Sequence, residues 1–139
     1  MGTATLTKFS ILMTKIVLLN DELGSQMQIY LALCDSYKIE IAENIQSAMY
    51  LLRKAKPHIL LMDYDFNQFR TNGKTGIDFI KKVKKKYSKL KVMTILEDEH
   101  KSLEGTIQQN GADGVLYKPI KNKQLVSDLQ KLAAPVAAS

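Results

Sequence analysis

The run Ile59-Leu60-Leu61-Met62, set inside Pro57-His58-Ile59-Leu60-Leu61-Met62-Asp63-Tyr64-Asp65-Phe66, constrains the fold more than any other stretch of the chain. Four consecutive apolar residues are too few for a core helix, and they suit a strand buried on both faces, as in a parallel sheet covered by helices. The run ends on Asp63. In open parallel α/β sheets ligands sit in the crevice beyond the carboxyl ends of the strands, so an Asp at that point is placed to meet one. Most Asp residues after a strand only open a polar turn. A functional reading therefore needs other groups converging on the same end of the sheet.

The rest of the chain supplies the pattern. Residues 1–14 show no sustained period and read as an extension before the domain. Lys15-Ile16-Val17-Leu18-Leu19 is a second apolar run, closing on Asn20-Asp21-Glu22. Ser25 and Gln28 have the spacing of a capping box, with Met27, Tyr30, Leu31 and Cys34 following at helical intervals as the expected inner face. Ile39 and Ile41 alternate with polar neighbours as in an edge strand. Asn44 is placed to cap a helix with Ile45, Ala48, Met49 and Leu52 inward, which Pro57 ends.

After Asp65 a polar connection runs from Asn67 to Gly76, long enough to be either functional or mobile. Ile77, Ile80, Val83 and Tyr87 predict a third helix, and Val92 to Leu96 a fourth strand ending on Glu97-Asp98-Glu99-His100. A weaker helix with Leu103 and Ile107 stops at Asn110-Gly111. Gly114 to Tyr117 predicts a fifth strand, ending at Lys118-Pro119. A last helix, capped by Asn122, turns Leu125, Leu129 and Leu132 inward.

Five strands alternating with five helices predict an α/β fold: a doubly wound, five-stranded parallel sheet in a flavodoxin-like (βα)5 three-layer sandwich. The expected domain spans 15–132, with a frayed tail over 133–139. Strands one, three and five are expected together at the centre, their ends carrying Asp21, Asp63 and Lys118. Three charged groups in one crevice are more than turns require.

At 139 residues the chain is sized for one domain. Its net charge of +6 raises the question of a nucleic-acid partner. Lys81, Lys82, Lys84, Lys85, Lys86, Lys89 and Lys91, however, fall on one helix and the turn after it, with no interleaved Arg or aromatic ladder, and read as a solvated face. No direct nucleic-acid binding is expected. The single cysteine, Cys34, excludes an intrachain disulfide and is expected to be a buried structural thiol. No signal peptide, myristoylation pattern or membrane span is readable, so a cytoplasmic protein is expected. His58 and His100 are expected in structural or surface roles.

Two carboxylates with nearby carbonyl oxygens are hard ligands, suited to Mg²⁺ with several retained waters rather than to Zn²⁺. An opposing lysine offers a compact positive charge for a phosphoryl oxygen. A carboxylate between a metal and an ammonium can act as nucleophile toward a phosphoryl donor and hold the acyl phosphate that results.

These residues, together with Gly111-Ala112-Asp113-Gly114-Val115-Leu116-Tyr117-Lys118-Pro119-Ile120, resemble the CheY-like receiver domains of bacterial two-component response regulators over roughly Lys15 to Leu132. The resemblance implies that Asp63 is the phosphoacceptor, that Asp21 and the backbone carbonyl of Asp65 ligate Mg²⁺ with Asp63, and that Lys118 contacts the phosphoryl group. It also implies a cis peptide at Pro119. Three positions depart from the family pattern. Asn20 replaces the first residue of the acidic pair and could reach the metal only through water. Leu96 stands where the family has a Thr or Ser at the end of the fourth strand, with Thr94 two residues earlier on the same face. Val115 replaces the aromatic switch residue, with Tyr117 on the same side of the strand. Glu97 stands where the family has a small residue, and its charge is expected to slow entry of an anionic phosphodonor.

The leading expectation is a single-domain receiver, phosphorylated at Asp63 by a histidine kinase or phosphotransfer protein and acting on a downstream protein target. It is not a turnover enzyme, catalysing at most its own phosphorylation and dephosphorylation. The alternatives are a degenerate receiver that binds a partner without phosphorylation, and a metal-dependent phosphatase of haloacid-dehalogenase type, suggested by Asp63-Tyr64-Asp65.

Overall fold

The structure is a computed structural model and describes residues 13–71 and 75–133, the side chains of 70 and 71 excepted. The expected extension before Met13, the middle of the connection after Thr71 and the tail after Ala133 lie outside the described residues.

Five parallel strands, β1 (Lys15–Leu19), β2 (Lys38–Ala42), β3 (Ile59–Asp63), β4 (Lys91–Leu96) and β5 (Gly114–Tyr117), form one sheet in the order β2-β1-β3-β4-β5. Helices α1 (Leu23–Leu33), α2 (Ile45–Lys54), α3 (Gly76–Lys86), α4 (Glu104–Gln109) and α5 (Asn122–Ala133) link and cover the strands, joined by a five-residue helix at Asn67–Thr71 and a 3-10 helix at Asp98–Leu103. This is the doubly wound, flavodoxin-like sandwich that the alternation predicts. The strand order corrects one expectation: β4, not β5, is the third central strand. The run Val92 to Leu96 is buried throughout, whereas β5 leaves three of its four residues half-exposed, as an edge strand does.

Each face of the sheet carries its own core. On one side Leu60, Met62, Val92 and Leu96 pack against Ala48 and Leu52 of α2, Ile80 and Val83 of α3 and Ile107 of α4. On the other, Ile16, Leu18, Ile59, Leu61 and Ile95 meet Ile29 and Leu33 of α1 and Leu125 and Leu129 of α5. Each such aliphatic side chain, fully removed from water, contributes about 1.5–3 kcal/mol before entropy is counted.

The face of α1 is the reverse of the expected one. Gln26, Ile29 and Leu33 are buried, while Leu23, Met27, Tyr30 and Leu31 are exposed. The helix has apolar residues on both sides, and the buried site decides its rotation: Gln26 Nε2 donates to the Asn20 carbonyl at 2.6 Å. Cys34 is half-exposed at the end of this helix rather than buried, because it lies on the same outward side. The capping box at Ser25 is also absent. The helix begins after Glu22, and the Ser25 hydroxyl donates to the Glu22 carboxylate at 2.9 Å.

Other boundaries follow the sequence. Asn44 caps α2 by accepting from Ser47 N at 2.7 Å, and the chain leaves that helix through Lys56 at φ 49° before Pro57. Asn67–Thr71 is helical, and Thr75 forms a reciprocal capping box with Asp78 at the start of α3. The lysine face needs one correction. Lys84 is half-buried, donating to the Leu90 carbonyl at 2.7 Å and pairing with Asp113 at 3.0 Å, while Asp113 accepts from Val92 N at 2.9 Å. Gly111, at φ +123°, closes α4 against this clamp, and a Cβ there would stand 2.8 Å from Lys84 Cγ.

Candidate functional site

The carboxyl ends of β1, β3 and β4 and the segment after β5 bring the charged residues to one pole of the sheet. Asp63, the last residue of β3, is 5% exposed and accepts from the backbone N–H of Asp65 at 2.9 Å through Oδ1. Its Oδ2 faces the Lys118 ammonium at 3.0 Å. A buried carboxylate is costly unless paired, and this geometry pairs it. Lys118 reaches Asp63 from an edge strand, across the end of β4. Strands two apart lie about 10 Å from each other, a gap that a four-carbon side chain helps to span.

Lys118 has a second carboxylate. Glu97 Oε1, just past β4, lies 3.3 Å from Nζ. Burial alone would lower the Lys118 pKa, but the hydrogen bonds and charges of Asp63 and Glu97 outweigh it and hold the ammonium above its ordinary value. The peptide between Lys118 and Pro119 is cis.

Asp21 lies just past β1, and its Oδ2 accepts from Asn67 N at 3.1 Å, which ties the β1 end to the segment after Asp63. Asn20 is 1% exposed and acts as a local strut: its Oδ1 accepts from Glu22 N at 2.8 Å, and its own N–H donates to the Ala42 carbonyl at 3.2 Å. Its Nδ2 is buried and has no hydrogen-bond partner among the described residues. The segment after Asp63 is anchored by Phe66, whose ring stacks toward Phe69 at 5.4 Å, with Phe79 of α3 a further 5.3 Å on. Gln68 Oε1 also accepts from Ile45 N at 2.6 Å, coupling the segment to the start of α2.

His100 is not a plain surface residue. Its Nδ1 lies 3.4 Å from Asp65 Oδ1, and its ring meets Tyr64 edge-on at 5.7 Å. Burial raises the Asp65 pKa, the His100 charge lowers it and the Asp63 charge raises it, leaving it above the ordinary carboxylate value. His58 has the structural role expected of it: Nδ1 accepts from Lys15 N at 3.0 Å.

The two departing positions near β4 and β5 are now placed. Leu96 is fully buried in the α2 and α3 core, and Thr94 is fully buried on the same face, its hydroxyl without a partner among the described residues. Val115 packs half-buried against that core. Tyr117 donates its hydroxyl to the Glu104 carboxylate on α4, a link that sequence reasoning missed. Burial, then the hydrogen bond and charge of Glu104, push the Tyr117 pKa up to about 12. Only strand parity hinted at it, by putting Tyr117 on the side that α4 covers.

The sequence profile of the response regulator receiver domain matches residues 16–130. The chain belongs to the response regulator receiver family. No curated protein matches the chain. Among solved structures, the receiver domain of a two-component response regulator from Bacteroides fragilis is similar with a TM-score of 0.80 at 22% identity, covering 89% of this chain and 99% of that one. A response regulator from Thermotoga maritima is similar with a TM-score of 0.75 at 18% identity, covering 88% and 98%. The receiver domain of a putative Luxo repressor protein from Vibrio parahaemolyticus has a TM-score of 0.75 at 18% identity, covering 86% and 89%. At these identities the likeness is one of fold.

Receivers are signalling modules rather than turnover enzymes, and they generally bind Mg²⁺ at the phosphorylation site and interact with histidine kinases or phosphotransfer proteins. The Asp21 and Asp63 carboxylates at this pole are hard oxygen donors, the kind that suits Mg²⁺ with several retained waters. Among the described residues no three His, Cys, Asp or Glu side chains gather as a metal cage, so few protein ligands are on offer. No helix among the described residues is long and apolar enough to cross a membrane.

Proposed function

We propose that this receiver accepts a phosphoryl group on Asp63 from a histidine kinase or phosphotransfer protein and passes the signal on through protein contacts. The observation that carries the reading is the Lys118 ammonium 3.0 Å from the buried Asp63 carboxylate at the end of a central strand. Asp63 attacks phosphorus; a P–O bond forms as the P–N bond to the donor imidazole breaks, and the imidazole leaves with the electron pair and takes a proton from solvent. Lys118 moves from Asp63 Oδ2 to a phosphoryl oxygen, where its charge opposes the charge that develops. The backbone N–H of Asp65 keeps Asp63 oriented. Asp21, Asp63 and the Asp65 carbonyl would hold Mg²⁺, with Asn20 reaching it only through water; when bound, the ion neutralises phosphoryl charge.

The exposed apolar strip of α1 supports a protein donor. Leu23, Met27, Tyr30 and Leu31 are 72%, 51%, 40% and 65% exposed, on the helix that starts two residues after Asp21. A donor seated there would stand beside the acceptor. Transfer of labelled phosphoryl from a phosphohistidine protein tests the reading: the account expects acid-labile label on the wild type and none on Asp63→Asn.

A second reading has its own support. Leu96 offers no donor to a phosphoryl group, and the Thr94 hydroxyl is enclosed in the core. These favour a degenerate receiver that recognises its partner without phosphorylation. Partner binding that is unchanged in Asp63→Asn, with no label transferred to the wild type, would select that reading. The phosphatase alternative would need turnover of a phosphate ester with Mg²⁺.

A further inference from the structure

At the pole opposite Asp63, a cleft of about 750 Å³ opens beneath the amino ends of β3 and β4, between the carboxyl ends of α2, α3 and α5. Its walls include Leu52, Pro57, Ile59 and Leu90, with the ring of Tyr87. Its remaining side chains are unusual in charge. Arg53, Lys56, Lys86, Lys89 and Lys91 all line it, and no Asp or Glu does. None of the five forms an ion pair among the described residues.

Part of this charge has an ordinary explanation. Arg53 and Lys86 sit in the last turns of α2 and α3, where cations complement the helix dipole. Lys56, Lys89 and Lys91 lie beyond the helices, where that reason does not apply. Tyr87 adds a second observation: its hydroxyl is buried and has no hydrogen-bond partner among the described residues, which is uncommon for a buried polar atom.

We propose that this cleft binds a compact phosphate with an aromatic body, the class to which nucleoside diphosphates belong. The volume lies within the range of small-molecule sites, roughly 300–1,000 Å³, and such sites pair apolar walls with a few polar groups that fix orientation. Here the apolar walls would take the aromatic body, and the cations, among them Lys86 held over the Tyr87 ring at 5.7 Å from its centroid, the phosphates. Charge also argues against the chain's own N-terminal segment as the occupant. Residues 1–12 include Lys8 and contain no Asp or Glu.

The test is titration of the isotopically labelled full chain with adenosine diphosphate, read from backbone amide shifts, alongside pyrophosphate as the body-free anion. Saturable binding is expected, with shifts centred on Tyr87, Leu90 and Ala133, weaker by tenfold or more for pyrophosphate and for the surface double variant Lys56→Glu, Lys89→Glu. Equal affinity for pyrophosphate would overturn the proposal by reducing the cleft to a plain anion site. Shifts centred on Asp63 and Lys118, affinity unchanged in the charge-reversed variant, no saturation, or nuclear Overhauser contacts that seat residues 1–12 or 134–139 in the cleft would each overturn it as well. The phosphorylation reading is tested separately, at the other pole of the sheet.

Discussion

Glu97 Oε1 lies 3.3 Å from Lys118 Nζ, the same ammonium that faces Asp63 Oδ2 at 3.0 Å. The lysine proposed to meet an incoming phosphoryl group is thus shared between Asp63, the proposed acceptor, and a half-exposed carboxylate. In the proposed reaction Glu97 would compete for the cation and repel an anionic donor.

Replacing Glu97 with Ala should therefore speed phosphorylation by a small anionic donor. One unit charge a few ångströms away in largely aqueous surroundings is worth about 1 kcal/mol, or roughly fivefold in rate. Single-turnover kinetics with acetyl phosphate measure it, and an unchanged rate would show that Glu97 does not gate the site.

The buried Thr94 hydroxyl leads to a stability prediction. It faces the α2 and α3 core, level with Met62 and Val115 on the neighbouring strands, and has no partner among the described residues. Thr94→Val removes the unsatisfied group at nearly constant volume and should stabilise the fold by about 1 kcal/mol in urea unfolding. Phosphorylation kinetics should not change. A slower reaction would mean that Thr94 supplies the hydroxyl that Leu96 lacks.

Asn20→Asp restores a third carboxylate beside Asp21 and Asp63. Mg²⁺ affinity should rise about tenfold, equivalent to ~1.4 kcal/mol. Without Mg²⁺ the variant should be less stable than the parent, since a new buried carboxylate stands beside the buried Asp63 and the exposed Asp21. Calorimetric titration and thermal unfolding with and without Mg²⁺ read both effects.

The link from Tyr117 to Glu104 predicts an alkaline effect. The folded-state pKa of Tyr117 is pushed up to about 12 from an unfolded value of about 10. The folded chain holds this proton more tightly, so the contribution to stability is complete below about pH 10 and is lost as pH rises through about 12. Glu104→Gln removes the charge that raises it. Phenolate absorbance should then show one tyrosine ionising at lower pH than in the parent, and superimposable titration curves would contradict the assignment.

How far the sequence discloses this architecture depends on what kind of information each feature uses. Ile59 to Asp63 and Lys15 to Leu19 are legible because a strand buried on both faces must be continuously apolar, and its end must turn polar. That places Asp63 and Asp21 at the same pole without any structure. Strand order is less legible: the alternation fixes a doubly wound sheet, but only the observed pairing of β3 with β4 shows that Lys118 works from the sheet edge.

The face of α1 was misleading for a physical reason. Met27, Tyr30 and Leu31 have the spacing of a core face, yet Gln26 occupies the buried side because it satisfies the Asn20 carbonyl. A tertiary hydrogen bond of this kind leaves no periodic trace. The same holds for the pairing of Glu97 with Lys118, residues 21 positions apart: in the sequence Glu97 reads only as a charge that would repel an anionic phosphodonor.

The central claim is that Asp63 is a working phosphoacceptor, and the intact mass of the protein after incubation with Mg²⁺ and acetyl phosphate tests it most directly. The account predicts an adduct of roughly 80 Da on the wild type, absent from Asp63→Asn. An unmodified wild type that nevertheless binds Mg²⁺ and also refuses transfer from a phosphohistidine protein, or an adduct retained by Asp63→Asn, would contradict it.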